Sequence, residues 1–231
     1  MKIKVLEETP RKVLEFPLDN DLNLTEKEVE DVAEIFKTPL TGSYNWDYTI
    51  QDNRIKRLYE LGKELNWNVE KDIDWDQPLP EKEDNPPAIF WDEYEPYQKL
   101  STEDKFKFLQ HRASWSISQF LHGEQGALLV ASQLVSCAPT YNAKLYAASQ
   151  TFDEARHVEA FNKYIQKRVG LSYPIGHGLK SLLDKILSDP RWDLKFIGMQ
   201  ISIEGVALAA FTVARQGTND QVFQARLYLI T

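Results

Sequence analysis

The stretch TFDEARHVEAF, residues 151–161, sets a glutamate and a histidine three positions apart inside a segment that otherwise reads as one long helix. Asp153, Glu154, Arg156, His157 and Glu159 crowd five ionisable groups into seven residues between apolar and aromatic flanks. Residues i and i+3 share a helix face, so Glu154 and His157 can converge on one point. A carboxylate oxygen beside an imidazole nitrogen suits iron, manganese or zinc. Alone the spacing is a weak signal. Glu-x-x-His arises by chance in about one chain in four of this length, and a lone instance is more often a solvated surface pair.

Two further glutamates alter that balance. Glu124 in FLHGEQGALLVA and Glu204 in MQISIEGVALAA are each the single acid of a long apolar helical segment. The Glu124 face carries Ile117, Leu121, Ala127, Leu128 and Ala131; the Glu204 face carries Ile197, Gln200, Ala207, Leu208 and Phe211. An ionised carboxylate on a core-facing stripe costs several kcal/mol unless it is paired or bound to a metal. Gly123, Gly126 and Gly205 flank these acids, each at a cost of about 1 kcal/mol inside a helix. They predict close helix approach or a local bulge, both common where a site is built. The competing reading gives each acid a buried hydrogen bond from a tyrosine or arginine.

The rest of the chain supplies the setting. Its 231 residues are enough for one core that buries roughly 70% of the unfolded surface. A net charge of −8 argues against sequence-independent nucleic-acid binding, which needs a basic footprint. No apolar run approaches the roughly 18 residues of a membrane span, and MKIKVLEETPRK lacks the apolar stretch of a signal peptide. Cys137 is the one cysteine, so no intrachain disulfide forms and a reducing cytoplasm is expected. With two methionines and four histidines, a metal site must lean on carboxylate oxygen. No Gly-x-Ser-x-Gly elbow and no Gly-rich phosphate loop is present.

Organisation changes near residue 100. Residues 1–100 read as an extension of short helices and ordered loops packed on the remainder. Thr25 and Glu28 form a capping box opening a helix that Pro39 closes. A second helix covers NRIKRLYELGKEL, with Ile55, Leu58, Tyr59 and Leu61 on one side. Trp67, Trp75 and Trp91 lie in a proline-rich loop and are too apolar to leave in water, so that loop wraps a core. Residues 101–231 read as helices: one from Ser101 to Pro139, one from Thr140 to Gly170, a short one over LKSLLDKILSD, one from Pro190 to Gly217, and a last one begun at TNDQ.

Spacing within that region repeats. EQGALLVASQ from Glu124 resembles EGVALAAFTV from Glu204, and the Ala-x-Leu-Tyr at Ala225 stands 82 residues after the one at Ala143. The same offset carries Glu154 and His157 past Thr231. The expectation is a four-helix bundle with two-fold pseudosymmetry whose fourth helix is cut short. One Glu from each of two helices and a Glu-x-x-His from each of two others is the layout of ferritin-like di-metal bundles.

GEQGALL, DEARHVEAF, YPI, RWDLKFIGMQISIEGVALAAF and RLYELGKELNWNVEKDIDWD resemble a bacterial family of ferritin-like di-iron proteins. That family is similar in ligand layout to the aminobenzoate N-oxygenases and the ribonucleotide reductase small subunits. The resemblance covers about residues 45–231 and is specific for the fold, not for a substrate. It implies an all-α, ferritin-like architecture with Glu124, Glu154, His157 and Glu204 as ligands of two iron ions, or of a manganese–iron pair. The family's last Glu-x-x-His has no counterpart here. The activity implied is O₂ activation for amine N-oxygenation or C–H oxidation, with O₂, a small organic substrate and an electron donor as partners.

Around those ligands, the resemblance makes Asp153 the partner of a histidine in the opposite half; Arg156 pairs with Asp153 or another buried acid, or forms a plain surface ion pair. Gln150 and Tyr146 lie one and two turns before Glu154 on nearly the same stripe. Tyr146 is a redox relay or, more commonly, a core tyrosine. Ala127, Ala131 and Ala207 leave room for a pocket or simply pack helices. His122 points about 200° away from Glu124 on the helix and is excluded as a ligand, while His111, His177 and Glu159 are expected to be structural or solvated. Two non-catalytic alternatives stand beside the oxidoreductase: a ferritin-like store or carrier, and a metal-free helical interaction module. The Trp-rich extension suits a monomer or homodimer better than a storage shell.

Overall fold

A computed structural model describes residues 14–15, 42–43, 46–49, 52–79 and 91–230. The capping box at Thr25 and the helix expected after it lie outside the described residues, as does most of the proline-rich stretch before Trp91.

The described chain is predominantly helical. Helix α1 (Asn53–Glu64) is capped by Asp52, whose side chain accepts from Arg54 N. It turns Ile55, Tyr59 and Gly62 inward but leaves Leu58 exposed. Helix α2 (Glu95–Gln98) is a single turn with Pro96 in its first positions, within a region the sequence suggests is loop. Ser101 caps the 36-residue α3 (Thr102–Cys137) by accepting from Asp104 N, and Pro139 follows its end. Thr140 caps α4 (Tyr141–Tyr164), which passes into a π-helical turn, Ile165–Val169. Gly170 closes that turn in the left-handed region, φ 72°, its N–H donating to Ile165 O at 2.8 Å. A two-residue antiparallel bridge pairs β1 (Leu14–Glu15) with β2 (Leu171–Ser172).

Helix α5 (His177–Ser188) follows, then α6 (Trp192–Phe196), a π-helical segment Ile197–Ile203, and α7 (Glu204–Gln216) run on as one rod. The chain ends its description in α8 (Gln221–Ile230). Buried Lys195 donates to Ile186 O and Leu187 O at 2.9 and 2.8 Å, satisfying carbonyls that the end of α5 leaves open. Helices α3 and α4 share the largest interface, with α1 laid against α4.

Apolar side chains gather in two clusters. One joins Trp67, Val69, Ile73 and Trp75 of the loop after α1 to Ile117, Phe161, Phe211, Phe223 and Leu227. The other joins Ala127, Val130, Leu134, Ala147, Leu183, Ile186 and Met199. The boundary between them crosses three helices. Glu124 falls between Ile117 and Ala127, Glu154 between Ala147 and Ala160, and Glu204 between Met199 and Phe211. Each acid thus sits where the two cores meet.

Two expectations change here. Ile197 and Leu208, assigned to the core face of Glu204, are exposed. The π-helical segment between Ile197 and Glu204 turns Ile197 away by taking fewer degrees per residue than an α-helix, whereas Leu208 keeps α-helical phase with a Glu204 that is itself only half-buried. The rod Trp192–Gln216 is also, by length and composition, apolar enough to cross a membrane. Lys195 and Glu204 interrupt its apolar run, so it does not stand out in the sequence.

Candidate metal centre

The centre is built on α3 and α4. Glu124 lies near the middle of α3, and Glu154 and His157 lie one turn apart on α4, as their spacing predicts. Both carboxyl groups are buried and His157 nearly so. Nδ1 of His157 lies 3.1 Å from Glu124 Oε2 and 3.2 Å from Glu154 Oε2. One ligand atom from each of the three residues lies within 4.8 Å of the other two, so the group could hold a metal ion. Two anionic oxygens and one imidazole nitrogen, drawn from different helices and shut from water, form a donor set that fits a divalent ion of the iron, manganese or zinc type.

Burial sets the protonation of these groups. It raises the Glu154 carboxyl well above the ordinary carboxylate range; His157 opposes the rise and Glu124 adds to it. Burial alone would lower His157, but the hydrogen bonds and charges of Glu124 and Glu154 overcome it and raise the imidazole. Without a metal, then, a proton on His157 between two acids does the charge neutralisation that a cation would do.

Glu204 stands apart. It is half-buried, outside the compact three-residue group, yet close enough to feel Glu154 and His157. Burial first and then the Glu154 charge push its carboxyl up to about 7. Gln200, one turn before it on the π-helical segment, buries a carboxamide with no hydrogen-bond partner among the described residues. Tyr146 is half-buried, and burial together with Glu154 and Glu204 raises its hydroxyl. Gln150 is half-buried one turn before Glu154.

The neighbouring residues sort differently from one another. Arg156 is buried and pairs with Asp153. Its Nη1 also donates to Asn66 Oδ1 at 2.6 Å and to Trp67 O at 2.8 Å. The Trp67 ring in turn stacks on His157, with centroids 6.3 Å apart and planes 19° from parallel. The tryptophan loop therefore does more than wrap a core: it roofs the imidazole. Nothing in the sequence signals that Trp67 meets His157, since the contact joins segments about ninety residues apart.

Other expected placements follow the geometry. His122 Nε2 turns away to Tyr173 O at 2.9 Å, His111 Nδ1 meets the Tyr173 hydroxyl at 2.5 Å, and His177 and Glu159 are exposed. Ala127 and Ala131 are fully packed. Of the flanking glycines, Gly126 alone marks a close approach: a Cβ there would stand 2.5 Å from Leu183 Cδ2, whereas Gly123 and Gly205 face open space.

Arg226 escaped the sequence reading. It is fully buried on α8, its guanidinium 3.8 Å from the Phe161 ring centroid, 4.5 Å from Tyr164 and 4.7 Å from Phe223. Burial lowers its affinity for the proton, against the pull of Tyr164, Glu124 and Asp220. Its guanidinium is close enough to Glu124 for the two charges to interact. Its position in the repeated Ala-x-Leu-Tyr motif, matching Lys144, was the available signal.

Comparison with known proteins gave no match: no family model fits the chain, and neither a curated protein nor a solved structure matches it.

Proposed function

We propose that this chain is a ferritin-like di-iron protein acting as an oxidoreductase, one that uses O₂ to oxidise an amine or a C–H bond of a small organic substrate. The observation that carries the reading is the buried Glu124–Glu154–His157 group at the seam of two apolar cores. Two carboxyl groups and an imidazole in that position are costly to keep without a ligand. Their protein-side roles follow from the geometry. Glu124 and Glu154 supply anionic oxygens, and His157 gives up its proton and offers Nδ1, which already points at both acids. Trp67 and Arg156 hold the imidazole in place and keep bulk water off it. Glu204 and Tyr146, both within reach of the Glu154 charge, are the residues that would meet a second ion or a substrate. When bound, paired ferrous ions supply the electrons that O₂ activation requires.

A second reading has its own support. Glu204 lies outside the compact group, which favours a single-ion site with a binding role and no turnover. Metal stoichiometry separates the two. The purified chain is loaded anaerobically with ferrous iron and its metal content is measured before and after exposure to air. Two ions per chain and an O₂-dependent visible band support the di-iron oxidoreductase. One ion without such a band supports the binding site alone, and no retained metal in wild type and Glu154→Ala alike removes both.

A further inference from the structure

Gln200 carries a cost that the described chain does not offset. It lies in the π-helical segment Ile197–Ile203, and both Nε2 and Oε1 of its carboxamide are shut from water without a hydrogen-bond partner among the described residues. Buried polar groups are nearly always bonded, and an amide orphaned at both ends needs a reason. Gln150 on α4 is a second such group. It is half-buried, and its side chain makes no hydrogen bond to another described residue.

Packing further along the helices sets the two amides at one level. The Phe211 ring of α7 stands 5.7 Å from that of Phe161 on α4. Seven residues earlier on both helices come Glu204 and Glu154, whose charges interact. The rod and α4 therefore run side by side and in step. Four residues earlier again come Gln200 and Gln150. The rod is π-helical over that interval, and a π turn closes between i and i+5, so Gln200 keeps to the Glu204 side. The burial of its amide places it there independently. Two carboxamides at one level ordinarily bond to each other. These do not, so a gap lies between them. Ala127, one turn after Glu124, and Ala147, one turn before Gln150, add only methyl groups along the same stretch.

We propose that the gap between Gln150 and Gln200 is a binding site for an uncharged amide, the group by which a substrate is anchored beside the metal centre. Each glutamine offers an acceptor oxygen and two N–H donors. A ligand amide answers both kinds, its carbonyl taking an N–H and its own N–H reaching a carbonyl oxygen. A carboxylate ion only accepts, and would lie beside the acids Glu154 and Glu204. An ammonium group only donates and leaves both Nε2 groups unmet. A hydrocarbon meets neither end. The site rests on the oxidoreductase reading only for where a substrate would lie. Its residues are not metal ligands, so a chain that bound no iron could still bind the amide.

The test is titration of the full, metal-free, nitrogen-15-labelled chain with acetamide and with benzamide, followed on the side-chain amide signals of its glutamines. Those of Gln150 and Gln200 are identified by their loss in Gln150→Met and Gln200→Met. Both are expected to shift and saturate with an amide. Benzoate, benzylamine and toluene are expected to bind at least about tenfold more weakly, the effect of about one unmade hydrogen bond. Gln200→Met should weaken amide binding by about tenfold or more with an unchanged helical circular-dichroism spectrum. Its Tm should equal or exceed that of wild type, because the thioether leaves no strong donor or acceptor unmet. Signals that neither amide moves, or amides that bind no better than toluene, would overturn the proposal. So would a Gln200→Met chain that melts below wild type, which would mean that a fixed water already satisfies the carboxamide.

Discussion

At the scale of the residue, the centre is a proton-binding site that a metal can take over. In the metal-free chain the folded imidazole of His157 holds its proton to about pH 9, against 6.5 when exposed. A raised histidine contributes stability that is fully present below pH 6.5 and is lost as pH rises through 9. Its loss is worth at most on the order of 3 kcal/mol. Glu154, also raised, acts in the same direction from lower pH. Thermal melts of the metal-free chain should therefore fall steadily from pH 5 to pH 9, and His157→Gln should flatten the upper part of that curve. Metal affinity should rise over the same range, because the ion displaces protons. Calorimetry in buffers of different ionisation enthalpy should register their release. Glu154→Ala should weaken binding by at least about tenfold, since loss of even a supporting hydrogen bond to a ligand costs that much.

At the scale of the element, a few buried polar residues decide how the helices meet. Asp220 is the clearest. Its carboxylate accepts from Arg168 through both oxygens at 3.0 and 3.1 Å, takes the Tyr164 hydroxyl at 2.8 Å, and caps α8 through Val222 N at 2.9 Å. Arg168 carries the tie onward to the carbonyls of Gln77 and Pro78 in the tryptophan loop. Asp220→Ala leaves the buried guanidinium without its counter-ion, held only by the two carbonyls, and should cost about 3–5 kcal/mol in urea unfolding. A loss under 1 kcal/mol would mean that water enters and replaces the acid. Gly126 tests packing in the other direction. Gly126→Val drives side-chain atoms into Leu183 and should destabilise by about 1–3 kcal/mol, and a companion Leu183→Ala should recover part of that loss.

At the scale of the whole molecule, the acids lie along one boundary between two apolar clusters, so a bound ion ties both cores together. Metal that binds only the folded chain should stabilise it by about 2.7 kcal/mol at a free concentration one hundred times Kd. The expected signature is a concentration-dependent rise in Tm in wild type that Glu154→Ala lacks. The rod Trp192–Gln216 is the least buried of the long helices, and its outer face belongs to this scale because no residue on it is unusual singly.

Helix positions were legible in the chain because caps and breakers are local. Ser101, Thr140, Pro139 and Gly170 act on backbone groups within a few residues of themselves, and the observed ends fall beside them. The convergence of Glu154 with His157 was legible for the same reason, being a consequence of helical pitch alone. That Glu124 joins them and Glu204 stands off was settled by packing between helices and by the π-helical segment before Glu204; Gly205 hinted at a local bulge there, but not at its extent or at which way it would turn the acid. Trp67 over His157, Arg226 among Phe161, Tyr164 and Phe223, and the bare face around Gly205 likewise depend on where distant segments come to rest. Local propensities follow from bonds between near neighbours; such meetings are decided by the burial of side chains far apart along the chain.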